Sequence, residues 1–154
     1  MKRLYLIGGT MGVGKSTVCQ RLKIELKNSV FLDGDWCWDS NPFQVTEETK
    51  TMVTDNICYL LNNFLRCTAY ENVIFCWVMH QQEIIDSIMQ KLNTTNCDVK
   101  VISLMTDVAC LQERLMADVK KGIRNADVIE RSTERIPLYQ KLDSIKIDTC
   151  NKSV

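Results

Sequence analysis

Short apolar runs recur along this chain and predict the strands of a β-sheet. The runs cover residues 4–7, 30–32, 73–78, 99–102 and 145–147. The third run is almost continuously apolar, which is typical of a strand buried on both faces. Such a strand lies inside a sheet that has helices packed on either side.

Helical patterns fill the intervals between these runs. One helix is predicted to begin at Lys15, and another after Thr46, whose side chain is suited to cap it. Two more carry apolar residues at helical spacing over residues 84–92 and 108–119. Strands that alternate with helices pair in parallel through right-handed crossovers. We therefore predict one α/β domain over residues 1–154, with three layers and about five parallel strands.

The composition is that of an ordinary globular domain. Apolar residues make up 45% and charged residues 25% of 154 positions, and this length suits one domain. The formal net charge is zero, which disfavours an extended nucleic-acid-binding surface. No apolar run is long enough to cross a membrane. The run after residues 1–3 is too short for a signal peptide.

Eight cysteines raise the question of a disulfide framework. None belongs to a C-x-x-C pair, and several lie within apolar periodic runs, where free cysteines pack as small hydrophobic side chains. Metal binding through them is disfavoured, because His80 is the only histidine and ligand spacing is absent. We predict buried free thiols and, from them, a reducing cytoplasmic location.

A glycine-rich stretch, GGTMGVGKST, lies between the first strand and the first helix. It satisfies G-x-x-x-x-G-K-[ST], in which backbone N–H groups and a helix N-terminus bind phosphates. In this pattern Lys15 reaches the β- and γ-phosphates, and Ser16 offers its hydroxyl to Mg²⁺. We predict that ATP and Mg²⁺ bind here. The predicted nucleotide contacts are Gly9, Thr10, Gly12, Val13, Gly14, Lys15, Ser16 and Thr17.

Two classes of phosphate-loop protein fit the remaining sequence poorly. Motor ATPases hold Mg²⁺ through an acidic residue that ends a later strand, and the run 73–78 ends without one. Switch GTPases carry N-K-x-D, but Val154 stands where that motif needs aspartate. Acidic residues follow the second strand instead, in FLDGDW. We predict that Asp33 supports the metal and that Asp35 accepts the proton of an attacking hydroxyl.

GGTMGVGKST followed by FLDGDW resembles the small P-loop kinases, such as gluconate kinase, adenylylsulfate kinase and shikimate kinase. The resemblance implies a sheet order of 2-3-1-4-5 and a mobile lid at about residues 118–139. It also implies an acceptor-binding insert at about residues 36–70. In this group the first carboxylate serves Mg²⁺ and the second serves the acceptor hydroxyl, which assigns these roles to Asp33 and Asp35.

The segment KKGIRNADVIERSTERIPLY is similar to the lid of nucleoside monophosphate kinases. Phosphoryl transfer needs positive charge over the phosphates, and Arg124 is our candidate catalytic arginine. Arg131 is a candidate acceptor contact. Ala126 replaces an aspartate of the lid pattern, and a solvated helix face would explain the same charges. Arg114, on the preceding helix, either flanks the adenine or is exposed.

Aromatic residues cluster after Asp35, in WCWDSNPFQ, and again in CWVMHQQ at the end of the third strand. Such rings stack on bases and sugars, or they pack an insert against the sheet. We predict that Trp36, Trp77 and His80 join Asp35 in the acceptor site. No motif identifies the acceptor.

These patterns predict an ATP-dependent phosphotransferase acting on a small-molecule hydroxyl, a nucleoside or a nucleotide. Two alternatives remain open: a nucleoside monophosphate kinase, and a nucleotide-binding regulatory module without turnover. Only residues 148–154 follow the last predicted strand, too few to form a covering helix. We expect that flank of the sheet to be exposed or covered by a second copy in a homodimer.

Overall fold

The computed structural model describes residues 1–154 and has one five-stranded parallel sheet at its centre. The strand order is β2-β3-β1-β4-β5, and each neighbouring pair runs in parallel. This confirms the predicted α/β fold and its 2-3-1-4-5 order. The strands are β1 Lys2–Gly8, β2 Ser29–Asp33, β3 Asn72–Trp77, β4 Cys97–Met105 and β5 Ile145–Asp148.

Five α-helices connect these strands. They are α1 Lys15–Glu25, α2 Glu47–Arg66, α3 Gln82–Lys91, α4 Val108–Lys120 and α5 Asp127–Gln140. A short 3-10 turn, Gly34–Cys37, follows β2. Thr46 caps α2 by accepting a hydrogen bond from the backbone N–H of Thr49, as its position before the helix predicted. None of these helices is both long enough and apolar enough to cross a bilayer.

The sheet separates two apolar cores, because successive side chains of a strand point to opposite faces. Leu4 and Leu6 of β1 pack on one face against Ile57 of α2 and Ile88 of α3. Ile7 points to the other face, which α1 covers with residues such as Cys19. The near-continuous apolar character of β3 follows from its place between β2 and β1, where both faces are buried.

Helices α4 and α5 meet above the carboxyl edge of the sheet. Leu111, Leu115 and Val128 form a third apolar cluster there, and Met11 packs against it. The predicted lid at 118–139 therefore consists of the end of α4, a connecting turn and most of α5.

The predicted acceptor insert at 36–70 divides into two parts with different surroundings. Most of it is α2, whose residues Val53, Ile57 and Leu61 belong to the larger core. Only residues 38–46 form a separate loop. Residues at the start of α2, among them Glu47, Lys50 and Thr51, line a cavity of about 590 Å³ together with Trp38 of this loop.

The β5 edge of the sheet is exposed along its whole length. Ile145 and Ile147 are both more than two-fifths exposed. This agrees with the expected bare flank, while its coverage by a second copy stays a prediction.

Cys110, at the start of α4, and Cys150, just after β5, form a disulfide with their Cα atoms 6.0 Å apart. The prediction of free thiols is wrong for this pair. The two cysteines are 40 residues apart in the sequence, and they meet only because β4 and β5 are adjacent in the sheet. No local sequence pattern could therefore predict their contact. Six cysteines are free, and Cys19, Cys58 and Cys76 among them are buried as predicted. The reducing location, which was inferred from free thiols, stays a prediction.

Thiol titration in denaturant provides a direct check on this pairing. Protein purified without reductant should show six reactive thiols, and eight after reduction, because one disulfide links two of the eight cysteines. Cys150→Ser should show seven thiols without reduction, the six free ones plus Cys110. Eight thiols in the unreduced parent protein would contradict the disulfide.

Candidate active site

The phosphate loop connects the end of β1 to the start of α1 and depends on two glycines. Gly12 and Gly14 have φ angles of 86° and 104°, a region that side chains with a Cβ rarely occupy. A Cβ on Gly12 would also lie 2.6 Å from Cδ2 of Leu115 in α4. Gly14 is the N-cap of α1, so the free N–H groups of that helix begin at the loop.

Lys15 lies over the loop that precedes it. Its Nζ donates a hydrogen bond to the carbonyl of Thr10 at 3.1 Å. Burial lowers the pKa of Lys15, while the nearby Asp35 and Asp33 carboxylates act in the opposite direction. The ammonium is thus held at the phosphate loop, close to the acidic turn after β2.

Asp33 ends β2 and uses both carboxylate oxygens within this site. Oδ2 accepts a hydrogen bond from the Ser16 hydroxyl at 2.9 Å, and Oδ1 accepts one from the backbone N–H of Asp35 at 3.0 Å. Asp33 is only 8% exposed. The two residues predicted to serve the metal are therefore in direct contact. A hydroxyl and a carboxylate are hard oxygen donors of the kind that Mg²⁺ prefers.

Asp35 projects from the turn that Asp33 organises. Partial burial raises its pKa, the Asp33 charge raises it further, and Lys15 and the Trp77 indole lower it. Gly34 makes this arrangement possible, because a Cβ there would lie 2.5 Å from Cγ of Trp77. The Trp77 ring thus packs directly on the D-G-D turn.

A cavity of about 450 Å³ joins the phosphate loop to both acidic residues. Arg124 also lines it, and its Nε donates to Oδ2 of Asp118 at 2.9 Å. Gly9 and Thr10 do not line this cavity; the Thr10 hydroxyl instead donates to the carbonyl of Ser132 in α5. Nine residues predicted from the sequence line the 450 Å³ cavity together: Gly12, Gly14, Lys15, Ser16, Thr17, Asp33, Asp35, Arg114 and Arg124.

A neighbouring cavity of about 420 Å³ extends from the loop toward the chain segment after β5. Val13 and Thr17 line it, together with Arg114. The Arg114 guanidinium donates to the carbonyl of Thr149 at 2.8 Å and to the carbonyl of Val13 at 3.3 Å. Arg114 therefore connects the phosphate loop to the chain segment that follows β5.

A third cavity, of about 550 Å³, lies on the other side of Asp35. Three of the predicted acceptor contacts, Trp77, His80 and Arg131, line it together. Trp36 does not: it is 60% exposed and packs edge-on against Phe31. The other lining residues include Trp38, Phe43 and Arg135, which were not among the predicted acceptor contacts. Trp38 lay in the same aromatic cluster as Trp36, and Arg135 lay one helical turn after Arg131.

His80 faces this third cavity at the end of β3. Burial lowers its pKa, and the positive charge of Arg135 lowers it further. Its Nδ1 is buried and has no hydrogen-bond partner. The imidazole is therefore held in its neutral form beside a cationic side chain.

The family of this chain follows from a match over most of its length. Residues 6–136 match a family model described as an AAA domain, which covers most of the chain. No curated protein matches.

Solved structures share the fold at low sequence identity. A gluconokinase from Sinorhizobium meliloti superposes with a TM-score of 0.69 at 15% identity, over 97% of this chain and 83% of that one. A tunicamycin resistance protein from Deinococcus radiodurans gives 0.66 at 17% identity, over 99% and 89%. A sugar kinase from Janibacter sp. gives 0.69 at 14% identity, over 96% and 84%. The chain belongs to the family described as an AAA domain, and its fold is that of the small P-loop kinases.

Proposed function

We propose that the chain is an ATP-dependent phosphotransferase that moves the γ-phosphoryl group of Mg-ATP to a hydroxyl of a small molecule. One observation carries the proposal: Asp35 lines both the phosphate-loop cavity and the aromatic cavity. A carboxylate between a nucleotide-binding cavity and a second cavity is placed to meet an acceptor as it approaches the phosphoryl group.

The donor side has the groups that a nucleotide with Mg²⁺ needs. Backbone N–H groups of the loop and the N-terminus of α1 suit the phosphates, and Lys15 adds a positive charge. Ser16 and Asp33 would hold Mg²⁺, which when bound neutralises charge on the phosphates. Arg114 and Thr149 border the cavity that we assign to the adenine.

In the transfer step, the side chains that line the phosphate-loop cavity have separate roles. Asp35 takes the hydroxyl proton as the acceptor oxygen bonds to the γ-phosphorus and the bond to the β,γ-bridging oxygen breaks, releasing ADP. Lys15 and Arg124 supply positive charge where negative charge builds up on the transferring group. Because the transition state of phosphoryl transfer is loose, Asp35 also acts by orienting the acceptor.

The names of structural neighbours support phosphotransfer as the reaction class, since a gluconokinase and a sugar kinase share the fold. Nucleoside monophosphate kinase activity and nucleotide binding without turnover are the competing functions. Acceptor-dependent ADP release separates a kinase from a module that only binds nucleotide. The effect of Asp35→Asn separates transfer to a hydroxyl from transfer to a phosphate, which has no proton to give up at neutral pH.

Lys15→Ala should reduce kcat/KM for Mg-ATP by about a hundredfold or more, because it removes a charge held at the phosphate loop. Steady-state ADP formation measures the change, and calorimetry measures Mg-ATP affinity. Lys23→Ala is the matched control, since Lys23 is an exposed lysine at the other end of α1. Parent-like binding and turnover in Lys15→Ala would contradict the phosphate-loop assignment.

Asp35→Asn should lower acceptor-dependent turnover by about a hundredfold or more while Mg-ATP affinity stays near the parent value. Asp33→Asn should instead shift the Mg²⁺ concentration needed for half-maximal activity, because a metal-supporting carboxylate is lost. A thermal melt of each variant shows whether it is folded. Full transfer activity in Asp35→Asn would move the proton-accepting role to His80.

The pH profile tests the same carboxyl. Asp35 must be ionised to accept a proton, so the rate should fall as the pH drops through its pKa. Because partial burial is the main cause that raises that pKa, the acidic limb should lie above the ordinary range for aspartate. The residual activity of Asp35→Asn should lack this limb.

Arg124→Ala should lower turnover more than it weakens Mg-ATP binding, because its charge is needed chiefly in the transition state. Asp118→Asn is the matched variant, since it removes the carboxylate that pairs with Arg124 and leaves the guanidinium in place. Single-turnover transfer rates compare the two. Equal and negligible effects would show that this ion pair only stabilises the lid.

A further inference from the structure

We propose that the acceptor is a nucleotide-like compound that carries both an anionic group and a flat unsaturated ring. Arg131 and Arg135 of α5 would bind the anion, and Trp38 and Phe43 would contact the ring. This inference rests on the proposed phosphotransfer and adds the class of acceptor. The hydroxyl that reacts faces Asp35 and is a different group from the anion.

The two arginines form a cationic pair on one face of a helix. Arg131 and Arg135 are four residues apart in α5, so their side chains project in the same direction. Both line the third cavity. Five ion pairs occur in the structure, and none includes either arginine.

Arg135 is the stronger anion-binding candidate, because it is partly buried and has no hydrogen-bonded acceptor among the side-chain contacts of the structure. A guanidinium removed from water is stabilised when an anion supplies the missing hydrogen bonds. His80 cannot serve as the counter-charge, because an imidazole is either neutral or positively charged. Asp35 is the only carboxylate that lines this cavity.

Helix α5 is held in place at both ends of the segment that presents these arginines. The hydroxyl of Thr10 in the phosphate loop donates to the carbonyl of Ser132 at 2.9 Å. The hydroxyl of Tyr139 donates to the carbonyl of Val78, just after β3. These contacts place the cationic pair beside the phosphate loop and Asp35, so an anionic acceptor bound there would have a defined position before transfer.

Aromatic rings form another part of the lining of the same cavity. The centroids of Trp38 and Phe43 lie 4.3 Å apart with their planes inclined by 36°, and Trp77 completes the aromatic lining. Eight of the 13 lining residues are hydrophobic. A small polyol would leave this surface without a partner, whereas a flat ring contacts it by stacking.

Three related probes separate the two halves of the proposal: a nucleoside 5′-monophosphate, its nucleoside and ribose 5-phosphate. The nucleotide carries both the ring and the anion, the nucleoside carries only the ring, and ribose 5-phosphate carries only the anion. The nucleotide and the nucleoside are each tested with the four common bases. Quenching of tryptophan fluorescence in the full chain measures binding, because Trp38 and Trp77 line the cavity. Calorimetry then gives the affinities.

At least one nucleotide should bind at least tenfold more tightly than its nucleoside and than ribose 5-phosphate. Arg135→Ala should weaken nucleotide binding at least tenfold and leave nucleoside binding unchanged. Arg135→Lys should recover only part of the loss, because lysine keeps the charge but not the planar pair of donors. Arg21→Ala is the control for removal of a guanidinium, since Arg21 pairs with Glu25 on α1.

Three results would overturn the acceptor assignment. In the first, the nucleoside binds as tightly as the nucleotide. In the second, ribose 5-phosphate binds as tightly as the nucleotide. In the third, no nucleotide binds. Mg-ATP binding in Arg135→Ala is measured alongside and should match the parent. If an acceptor of another kind supports Lys15-dependent ADP release, the acceptor class is wrong and the phosphotransfer stands. Without acceptor-dependent ADP release, the proposed function itself fails.

Discussion

The site depends on Asp33, whose two carboxylate oxygens connect three parts of the chain. One oxygen accepts from Ser16 at the start of α1, and the other from the backbone of Asp35. β2 and β1 are not adjacent in the sheet, since β3 lies between them. Asp33 thus bridges the phosphate loop and the acidic turn across an intervening strand. Losing it would release both Ser16 and the turn that carries Asp35.

A second constraint comes from α5, which closes the site from the opposite side. Its contacts with Thr10 and Val78 fasten a helix late in the chain to the ends of two central strands. The cavity that we propose for the acceptor therefore has the sheet edge as one wall and α5 as another. The short loop 38–46 supplies the remaining aromatic wall.

The elements of the fold and the phosphate loop could be predicted from sequence because their signals are local. Apolar periodicity within a window of about ten residues separates strands from helices. The glycines, Lys15 and Ser16 act through a backbone conformation that their own segment adopts. The two carboxylates after β2 were also predictable, because the carboxyl end of a parallel strand marks the ligand-binding edge.

Only the tertiary structure decided which neighbouring residues face the acceptor cavity and which do not. Trp36 and Trp38 are alike in sequence context, yet only Trp38 lines it. Arg135 lines the same cavity because α5 packs beside the end of β3, where Tyr139 donates to Val78, and Cys110 meets Cys150 because β4 and β5 are neighbours. These contacts join residues that are far apart along the chain. The sequence by itself therefore determined the elements and the phosphate loop, while packing between distant segments decided which side chains line the cavity beside Asp35.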